Sequence, residues 1–189
     1  MEFLAAMATE VPDGHGAARA HELARHKRLL RLWRAPSRPG ESRILGLFSA
    51  ADRDEFEQLL GGISQVARVT PLGAHDNDPA AAGVVGRPGK GPEFLISMTL
   101  TVPPGIPAAA VDDACAREAE QTRELAARGH LLRLWTLPVS PDGPGTLGLW
   151  RARDLGELEA ILEALPLSGW ETIETTPLSP HPQDPIRLL

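Results

Sequence analysis

One five-residue string occurs twice in the chain, and this repetition restricts the fold more than any other feature. Residues 29–33 and 131–135 both read Leu-Leu-Arg-Leu-Trp, and they lie 102 positions apart (131 − 29). Three further landmarks recur in the same order: Glu-Phe-Leu at 2–4 and 93–95, Gly-Leu-aromatic at 46–48 and 148–150, and a Pro-Leu…His…Asp-Pro tail at 71–79 and 177–185. A repeat of this length indicates that one supersecondary unit has been duplicated. Each candidate residue can therefore be compared with its counterpart in the other copy.

The repeat predicts two domains with a linker between them. We place the first copy at residues 1–79, the linker at 80–91 and the second copy at 92–189. The linker is rich in Pro, Ala and Gly, which is typical of a flexible connection. The first copy is shorter, because only 27 positions (29 − 2) separate its Glu-Phe-Leu from Leu-Leu-Arg-Leu-Trp, against 38 (131 − 93) in the second copy.

Hydrophobic periodicity and capping residues predict the same element order in both copies. In the first copy we expect strand 2–9, helix 16–28, strands 29–33 and 43–48, helix 52–60 and strand 66–72. In the second copy we expect strand 94–102, helix 108–128, strands 131–137 and 146–151, helix 155–164 and strand 170–177. The order β-α-β-β-α-β is the ferredoxin-like arrangement. We therefore expect an α+β fold, with two ferredoxin-like units in tandem packed as a pseudo-dimeric α+β barrel and a pocket between sheets and helices.

Composition and charge exclude several functional classes. The chain is 42% hydrophobic and 23% charged, as in ordinary globular proteins, and its net charge of −6 argues against nucleic-acid binding. We find no apolar run long enough for a membrane span and expect no signal peptide. The one cysteine, Cys115, cannot form an internal disulfide. We expect a cytoplasmic protein that binds a small-molecule substrate, not nucleic acid or membrane, and forms homo-oligomers.

Glu118 is the most informative polar residue of the long second-copy helix. At 100° per residue it lies within about 60° of the apolar positions, which are Val111, Ala114, Cys115, Thr122 and Leu125. Burial should raise the pKa of this carboxyl towards the range of a general base. The alternative is a structural carboxylate that reaches along the helix edge to an arginine. The first copy has Gly16 (118 − 102) at this position, so only the second copy is expected to be catalytic.

Arg133 could stabilise an anionic intermediate, helped by His130. Alternatively, Arg133 could be a cation stacked on Trp135, two residues away on the same strand face. Strict alternation would place Leu132 and Leu134 under the helices, with Leu131, Arg133 and Trp135 on the opposite face.

The remaining candidates are substrate-contacting residues. Trp135 and Trp150 could form an apolar wall, and Ser97 and Thr99 could line a pocket. His181 lies in a His-x-x-Asp-Pro tail, for which a turn is the better interpretation than a metal site. We find no zinc motif and no glycine-rich phosphate loop, and therefore predict neither metal nor cofactor.

The second copy resembles the muconolactone delta-isomerase family over about residues 92 to 185. The resemblance rests on 94–100 (Phe-Leu-Ile-Ser-Met-Thr-Leu), Glu118, 129–135 (Gly-His-Leu-Leu-Arg-Leu-Trp), 165–167 (Leu-Pro-Leu) and His181-Pro182. It implies ferredoxin-like subunits that assemble into oligomers and shift a proton within a butenolide, without a cofactor, in aromatic catabolism. Ser97 and Thr136 stand where family members usually carry basic residues. The first copy looks like a shortened relative.

These observations predict a cofactor-independent isomerase in which Glu118 takes a proton α or γ to a lactone or enone carbonyl and returns it elsewhere. Arg133 and His130 would stabilise the dienolate. Two alternatives stay open: a non-catalytic ligand-binding or assembly module, and a cyclase or decarboxylase of a natural-product pathway.

Overall fold

The structure is a computed structural model and describes residues 1–7, 14–36, 42–61, 66–81, 83, 91–141 and 144–188. The predicted end of the first strand at 8–9 and most of the predicted linker lie outside the described residues.

Within these ranges the chain forms the two predicted series of elements, followed by a short terminal helix. The first series is β1 (Glu2–Met7), α1 (Gly14–Arg25), β2 (Leu29–Pro36), β3 (Ser42–Ser49), α2 (Arg53–Leu60) and β4 (Val66–Ala74). The second is β5 (Glu93–Leu100), α3 (Ala108–Arg128), β6 (Leu131–Thr136), β7 (Gly145–Arg151), α4 (Leu155–Glu163) and β8 (Glu171–Pro180), with α5 (Pro185–Leu188) at the end. The α+β class and the β-α-β-β-α-β order of both copies are confirmed.

The chain divides into two compact units that do not coincide with the two sequence copies. Unit 1 consists of Met1–Gly73 and Leu178–Leu189, and unit 2 consists of Ala74–Pro177. The tail of the first copy, from residue 74, therefore belongs to unit 2, and the tail of the second copy, from residue 178, belongs to unit 1. We call this arrangement the tail exchange. The predicted boundaries at 79 and 92 describe the repeat, and the compact units are divided at 73/74 and 177/178.

Each unit contains an antiparallel sheet with the same strand order. The order is β4-β1-β3-β2 in unit 1 and β8-β5-β7-β6 in unit 2. In unit 1 the last residues of β8 extend the sheet, because Ser179 and Pro180 pair with Arg34 and Trp33 of β2. The strand thus continues three residues beyond the predicted end at Pro177.

The helix boundaries follow the capping chemistry of the sequence. Helix α3 spans the predicted residues 108–128 and ends at Gly129, whose φ of 83° is the left-handed conformation that glycine adopts without strain. Asp52 and Asp154 cap α2 and α4, each accepting a hydrogen bond from the backbone N–H three residues later, at 2.8 and 2.9 Å.

The predicted alternation along β6 is wrong at its first residues. Leu131 pairs with Trp150, but Arg133 pairs with Leu149, so the register shifts between Leu131 and Arg133. The bulge puts Leu131 and Leu134, rather than Leu132 and Leu134, in the unit 2 core. The first copy has the same shift between Leu29 and Arg31, and strict period-two counting cannot reveal such an inserted residue.

Each unit has its own core between its sheet and its helices. The unit 1 core is built around Phe3, Phe48 and Phe56, with the rings of Phe3 and Phe56 stacked at 4.5 Å. The unit 2 core is built around Trp150 and Phe94, with aliphatic side chains from β5, α3, β6 and α4. None of the helices among the described residues is both long and apolar enough to cross a membrane.

Candidate active site

Unit 2 contains a cavity of about 310 Å³ between its sheet and α3. Its apolar wall consists of Met98 and Leu100 from β5, Leu134 from β6, Trp150 from β7 and Leu167. Its polar lining consists of His75, Asn77, Glu118, Thr122, Thr136, Thr146 and Glu171. Cys115, Thr136 and Pro144 line the cavity and are exposed, so they mark its mouth. The volume is at the lower end of the range found for small-molecule sites.

Glu118 lies in this cavity, as its helical phase predicts. Its side chain is half-buried beside Ala114, Thr122 and Leu125, which are all buried. The Leu167 backbone N–H donates to Glu118 Oε2 at 3.0 Å. Burial raises the pKa of the Glu118 carboxyl, and this hydrogen bond, which favours the charged form, limits the rise. The predicted direction of the pKa shift is confirmed.

A second carboxyl, that of Glu171, lines the same cavity, and no sequence pattern singles it out. Burial, and next the negative charge of Glu118, raise the pKa of Glu171 to about 7. Its Oε2 atom is buried and has no hydrogen-bond partner among the described residues. An ionised oxygen in that position would be costly, which favours the protonated form of Glu171.

The two carboxyls therefore differ in their surroundings. A backbone donor favours the ionised form of Glu118, whereas Glu171 Oε2 has no such donor among the described residues and the pKa of Glu171 is raised to about 7. When two carboxyl environments push their pKa values apart, one group can act as a base while the other stays an acid. In the state with Glu118 ionised and Glu171 protonated, the pair holds one proton.

His75 contributes an imidazole that is neutral near pH 7. It belongs to the tail of the first copy, which the tail exchange places in unit 2. Burial lowers the pKa of His75, and the carboxylates of Asp76 and Asp78 oppose this shift. The Asn77 backbone N–H donates to His75 Nδ1 at 3.1 Å. The neutral ring therefore carries its proton on Nε2 and is a donor there.

Trp150 lines the cavity as predicted. It is fully buried, and its Nε1 atom has no hydrogen-bond partner among the described residues. The indole lies over Gly148, where a Cβ atom would overlap Nε1. Glycine at 148 is required for this close approach between the sheet backbone and the ring.

Arg133 is not among the residues that line the cavity, because its guanidinium is held elsewhere. Arg133 Nη2 lies 3.1 Å from Asp78 Oδ2, and the same carboxylate accepts the Leu134 backbone N–H at 3.1 Å. The guanidinium carbon also lies 4.8 Å from the centre of the Trp135 ring. Arg133 is therefore stacked on Trp135, which is the second of the two predicted alternatives. It also forms an ion pair with Asp78, which the sequence of the second copy could not reveal because Asp78 belongs to the first copy.

Five further predicted residues lie outside the cavity lining. Ser97 and Thr99 alternate with Met98, so they occupy the other face of β5. His130 Nδ1 lies 3.0 Å from the Arg151 carbonyl oxygen. The two remaining residues are Trp135, buried under Arg133, and His181, which the tail exchange puts in unit 1.

The His-x-x-Asp segments form turns, as the sequence favours. The Asp184 backbone N–H donates to the His181 carbonyl at 2.9 Å, and Asp78 and His75 make the same contact at 2.9 Å. No group of three or more His, Cys, Asp or Glu side chains suited to a metal ion occurs in the part of the chain that the structure describes.

Two solved structures show the same fold over almost the whole chain. A heme-binding protein from Thermus thermophilus has a TM-score of 0.60 at 11% identity, covering 99% of this chain and 93% of its own. A putative chlorite dismutase has a TM-score of 0.51 at 10% identity, covering 95% of each chain. At these identities the likeness concerns the fold alone.

Sequence comparison identifies the family, which the fold alone does not. The family model described as muconolactone delta-isomerase matches residues 93–184. The muconolactone delta-isomerase of Cupriavidus pinatubonensis (strain JMP 134 / LMG 1197) is 32% identical over 92 residues, which are 47% of this chain and 94% of that protein. The match therefore spans nearly all of a single-copy relative and falls on the copy that contains both Glu118 and Glu171. The chain belongs to the muconolactone delta-isomerase family.

Proposed function

We propose that unit 2 is an isomerase that moves a proton within a small lactone or enone, with Glu118 as the base. The observation that carries this proposal is the position of Glu118 in a mostly apolar cavity, where burial raises its pKa while Leu167 N–H holds one oxygen. A base of this kind removes a proton from carbon α or γ to a carbonyl. The same carboxyl, now protonated, then returns the proton to the other carbon.

The surroundings of Glu118 suit a cofactor-independent reaction of this type. The apolar wall lowers the local dielectric constant, which strengthens electrostatic interactions with the developing dienolate. The Leu167 N–H orients the carboxylate, so that its second oxygen is left for the substrate. Membership of an isomerase family supports the reaction class, while the substrate of this chain is part of the proposal.

Arg133 is not part of the proposed catalytic set. Its side chain already has a carboxylate and an indole as partners, and breaking a buried ion pair of this kind is expensive. His130 is held by a backbone carbonyl and is omitted for the same reason. We propose that Trp150 supplies part of the apolar wall.

The test is proton exchange catalysed by the full chain. Purified protein is incubated in deuterated buffer with a panel of butenolides that includes muconolactone, and exchange and isomerisation are followed by proton NMR. We expect turnover in the wild-type protein and a loss of roughly 10²- to 10⁴-fold in Glu118→Gln, the typical contribution of a general base. Glu120→Gln is the matched control, because Glu120 is exposed on the same helix; it should retain wild-type activity.

Full exchange in Glu118→Gln would reject Glu118 as the base. If the wild-type protein bound the panel without exchanging any member, the non-catalytic binding module would replace the isomerase. Ring closure or loss of carbon dioxide from a panel member would favour the cyclase or decarboxylase alternative.

A further inference from the structure

Among the described residues, the cavity offers no cation to a developing negative charge. No Lys or Arg lines it within the described ranges, and the titratable groups that face it are Glu118 and Cys115 from α3, Glu171 from β8 and His75 from the segment after β4. Burial keeps His75 neutral near pH 7. The dienolate that forms when Glu118 takes a proton must therefore be stabilised by neutral hydrogen-bond donors.

We propose that Glu171 is a second catalytic residue, which donates a hydrogen bond from its neutral carboxyl group to the carbonyl oxygen of an uncharged substrate. This inference rests on the proposed function, since it assigns the group that stabilises the dienolate made by Glu118. It also narrows the substrate from lactones and enones in general to those without a carboxylate.

The position of Glu171 supports this role. It is the first residue of β8, and its side chain lines the same cavity as Glu118. One carboxyl oxygen is buried with no partner among the described residues, so no protein donor compensates an ionised form. Burial and the nearby charge of Glu118 raise the pKa of Glu171 to about 7. A carboxylic acid kept neutral by an apolar site is an established type of oxyanion donor.

The proposed reaction balances without a co-reactant. Glu118 removes a proton from carbon, and the C–H electron pair moves into the conjugated system to give the dienolate. The O–H of Glu171 hydrogen-bonds to the enolate oxygen throughout and keeps its proton. Protonated Glu118 then delivers its proton to the other terminal carbon, which restores the carbonyl and returns both side chains to their starting states.

The charge of the cavity determines the substrate class. A substrate carboxylate would add a negative charge beside Glu118 in a site where, among the described residues, no guanidinium or ammonium lines the wall. Two angelica lactones, which carry a methyl group where muconolactone carries a carboxymethyl group, interconvert by the same proton shift. We expect the cavity to accept the methyl compound and to reject the carboxymethyl compound.

The first experiment measures the carboxyl pair without substrate. Carbon-13 NMR of the full chain, labelled at glutamate carboxyls, should show one signal that titrates near pH 7 and disappears in Glu171→Gln. In Glu118→Gln the titration of Glu171 should move to lower pH, because the Glu118 charge raises its pKa. A Glu171 titration at the ordinary value for glutamate, or one that Glu118→Gln leaves unchanged, would overturn the inference whatever the activity.

The second experiment follows deuterium exchange into α-angelica lactone as a function of pH. We expect the wild-type rate to fall above about pH 7 as Glu171 ionises, whereas Glu171→Gln, whose amide remains a neutral donor, should keep its rate there. Glu171→Leu removes the donor and should lose roughly 10²-fold or more in kcat, as oxyanion-hole variants do. Glu174→Gln on an exposed site of the same strand is the control and should match the wild type at every pH.

The outcomes separate the two proposals. Loss of exchange in Glu118→Gln together with wild-type rates in Glu171→Leu would retain the base and reject the second carboxyl. An alkaline decline that persists in Glu171→Gln would also reject Glu171. Faster exchange of muconolactone than of α-angelica lactone would overturn the substrate class, while absence of exchange with both would count against the proposed function itself.

Discussion

The two units contain the same arginine cluster but differ in their carboxyls. In unit 1, Arg31 Nη2 lies 3.0 Å from Asp184 Oδ2 and the guanidinium carbon lies 4.7 Å from the Trp33 ring centre. In unit 2 the corresponding distances, from Arg133 to Asp78 and to Trp135, are 3.1 and 4.8 Å. Since the cluster occurs in both units with one geometry, it belongs to the shared scaffold.

The carboxyl pair, by contrast, occurs only in the second copy. Helix α1 has 12 residues against 21 in α3, and the position of Glu118 corresponds to Gly16. Glu171 corresponds to Gln65 (171 − 106), which lies outside the described residues. Duplication kept the groups that hold the tails and left the titratable groups in one copy. Residues that both copies share are therefore candidates for folding, and residues that differ are candidates for chemistry.

The strongest test of this comparison removes the carboxylate of each arginine cluster. Asp184 is fully buried and also accepts the Leu32 backbone N–H at 3.2 Å. Asp184→Ala leaves the mostly buried Arg31 uncompensated and should lower the free energy of unfolding by about 3–5 kcal/mol. Asp78→Ala should cost somewhat less, because Arg133 is 23% exposed against 12% for Arg31. Chemical denaturation measures both.

The control for these variants is Asp113→Ala, which breaks an exposed pair with Arg117 and should cost less than about 1 kcal/mol. Only Asp78→Ala should also impair isomerisation, because Asp78 holds the segment that carries His75 and Asn77, which line the cavity, against Leu134 of β6. Equal losses of activity in Asp184→Ala and Asp78→Ala would contradict the separation of scaffold from chemistry.

A second test uses the glycine beneath an aromatic ring in each copy. A Cβ atom at Gly148 would overlap Trp150 Nε1, and one at Gly46 would lie 2.5 Å from Phe48 Cε2. Both Gly→Ala variants should lose about 1–3 kcal/mol of stability through overpacking, measured by thermal unfolding. Gly148→Ala should also reduce turnover, since Trp150 lines the cavity, whereas Gly46→Ala should not. Wild-type turnover in Gly148→Ala would show that Trp150 is dispensable.

The third test measures the stability cost of the carboxyl pair. Because the pKa of Glu171 is about 7 when folded, against an ordinary value of 4.5, the folded state binds more protons between these pH values. The contribution of Glu171 to the free energy of unfolding therefore falls as the pH rises from 4.5 to about 7. Above pH 7, Glu171→Gln should be more stable than the wild type by about 1–2 kcal/mol, allowing for solvent screening of a half-buried group.

The measurement is urea unfolding of both proteins at pH 5 and pH 8. The stabilisation by Glu171→Gln should be largest at pH 8 and much smaller at pH 5, which is close to the ordinary value of 4.5. Glu174→Gln on the same strand should change neither value. A stabilisation independent of pH would mean that Glu171 does not carry a raised pKa.

The smallest effect is expected at the helix caps, which the copies share. Asp52→Ala and Asp154→Ala each remove one hydrogen bond to the first turn of a helix and should each cost about 1 kcal/mol. Thermal unfolding of the two single variants should give closely similar losses, with unchanged turnover in both. A large difference between them would show that the two short helices are not equivalent.

The sequence predicts those features that local periodicity controls. A 3.6-residue hydrophobic repeat with a glycine stop predicts the length of α3, its end at Gly129 and the burial of Glu118. This works because successive residues of a helix are separated by a constant angle. The element order of both copies follows for the same reason.

The features that the sequence does not reveal depend on contacts distant along the chain. The bulge after Leu131 is a one-residue insertion that leaves no mark on composition. Glu171 resembles Glu174 in the sequence, and only the folded chain, in which Glu171 lines the cavity and Glu174 is exposed, distinguishes the two carboxyls. Position in the sequence favours His181 for the cavity, because it belongs to the second copy, but the tail exchange supplies His75 instead. The repetition of His-x-x-Asp-Pro in both copies is the signal that could suggest this alternative.

The tail exchange also bears on how the protein could evolve. A gene for residues 92–189 alone would encode Arg133 without its carboxylate and a cavity without its imidazole, because Asp78 and His75 precede the linker. Such a half-length product would need a second polypeptide to supply these groups, and its activity would then decline on dilution. A single continuous chain delivers them in a fixed ratio at any concentration, so selection on the copy with the carboxyl pair also preserves the copy that has none.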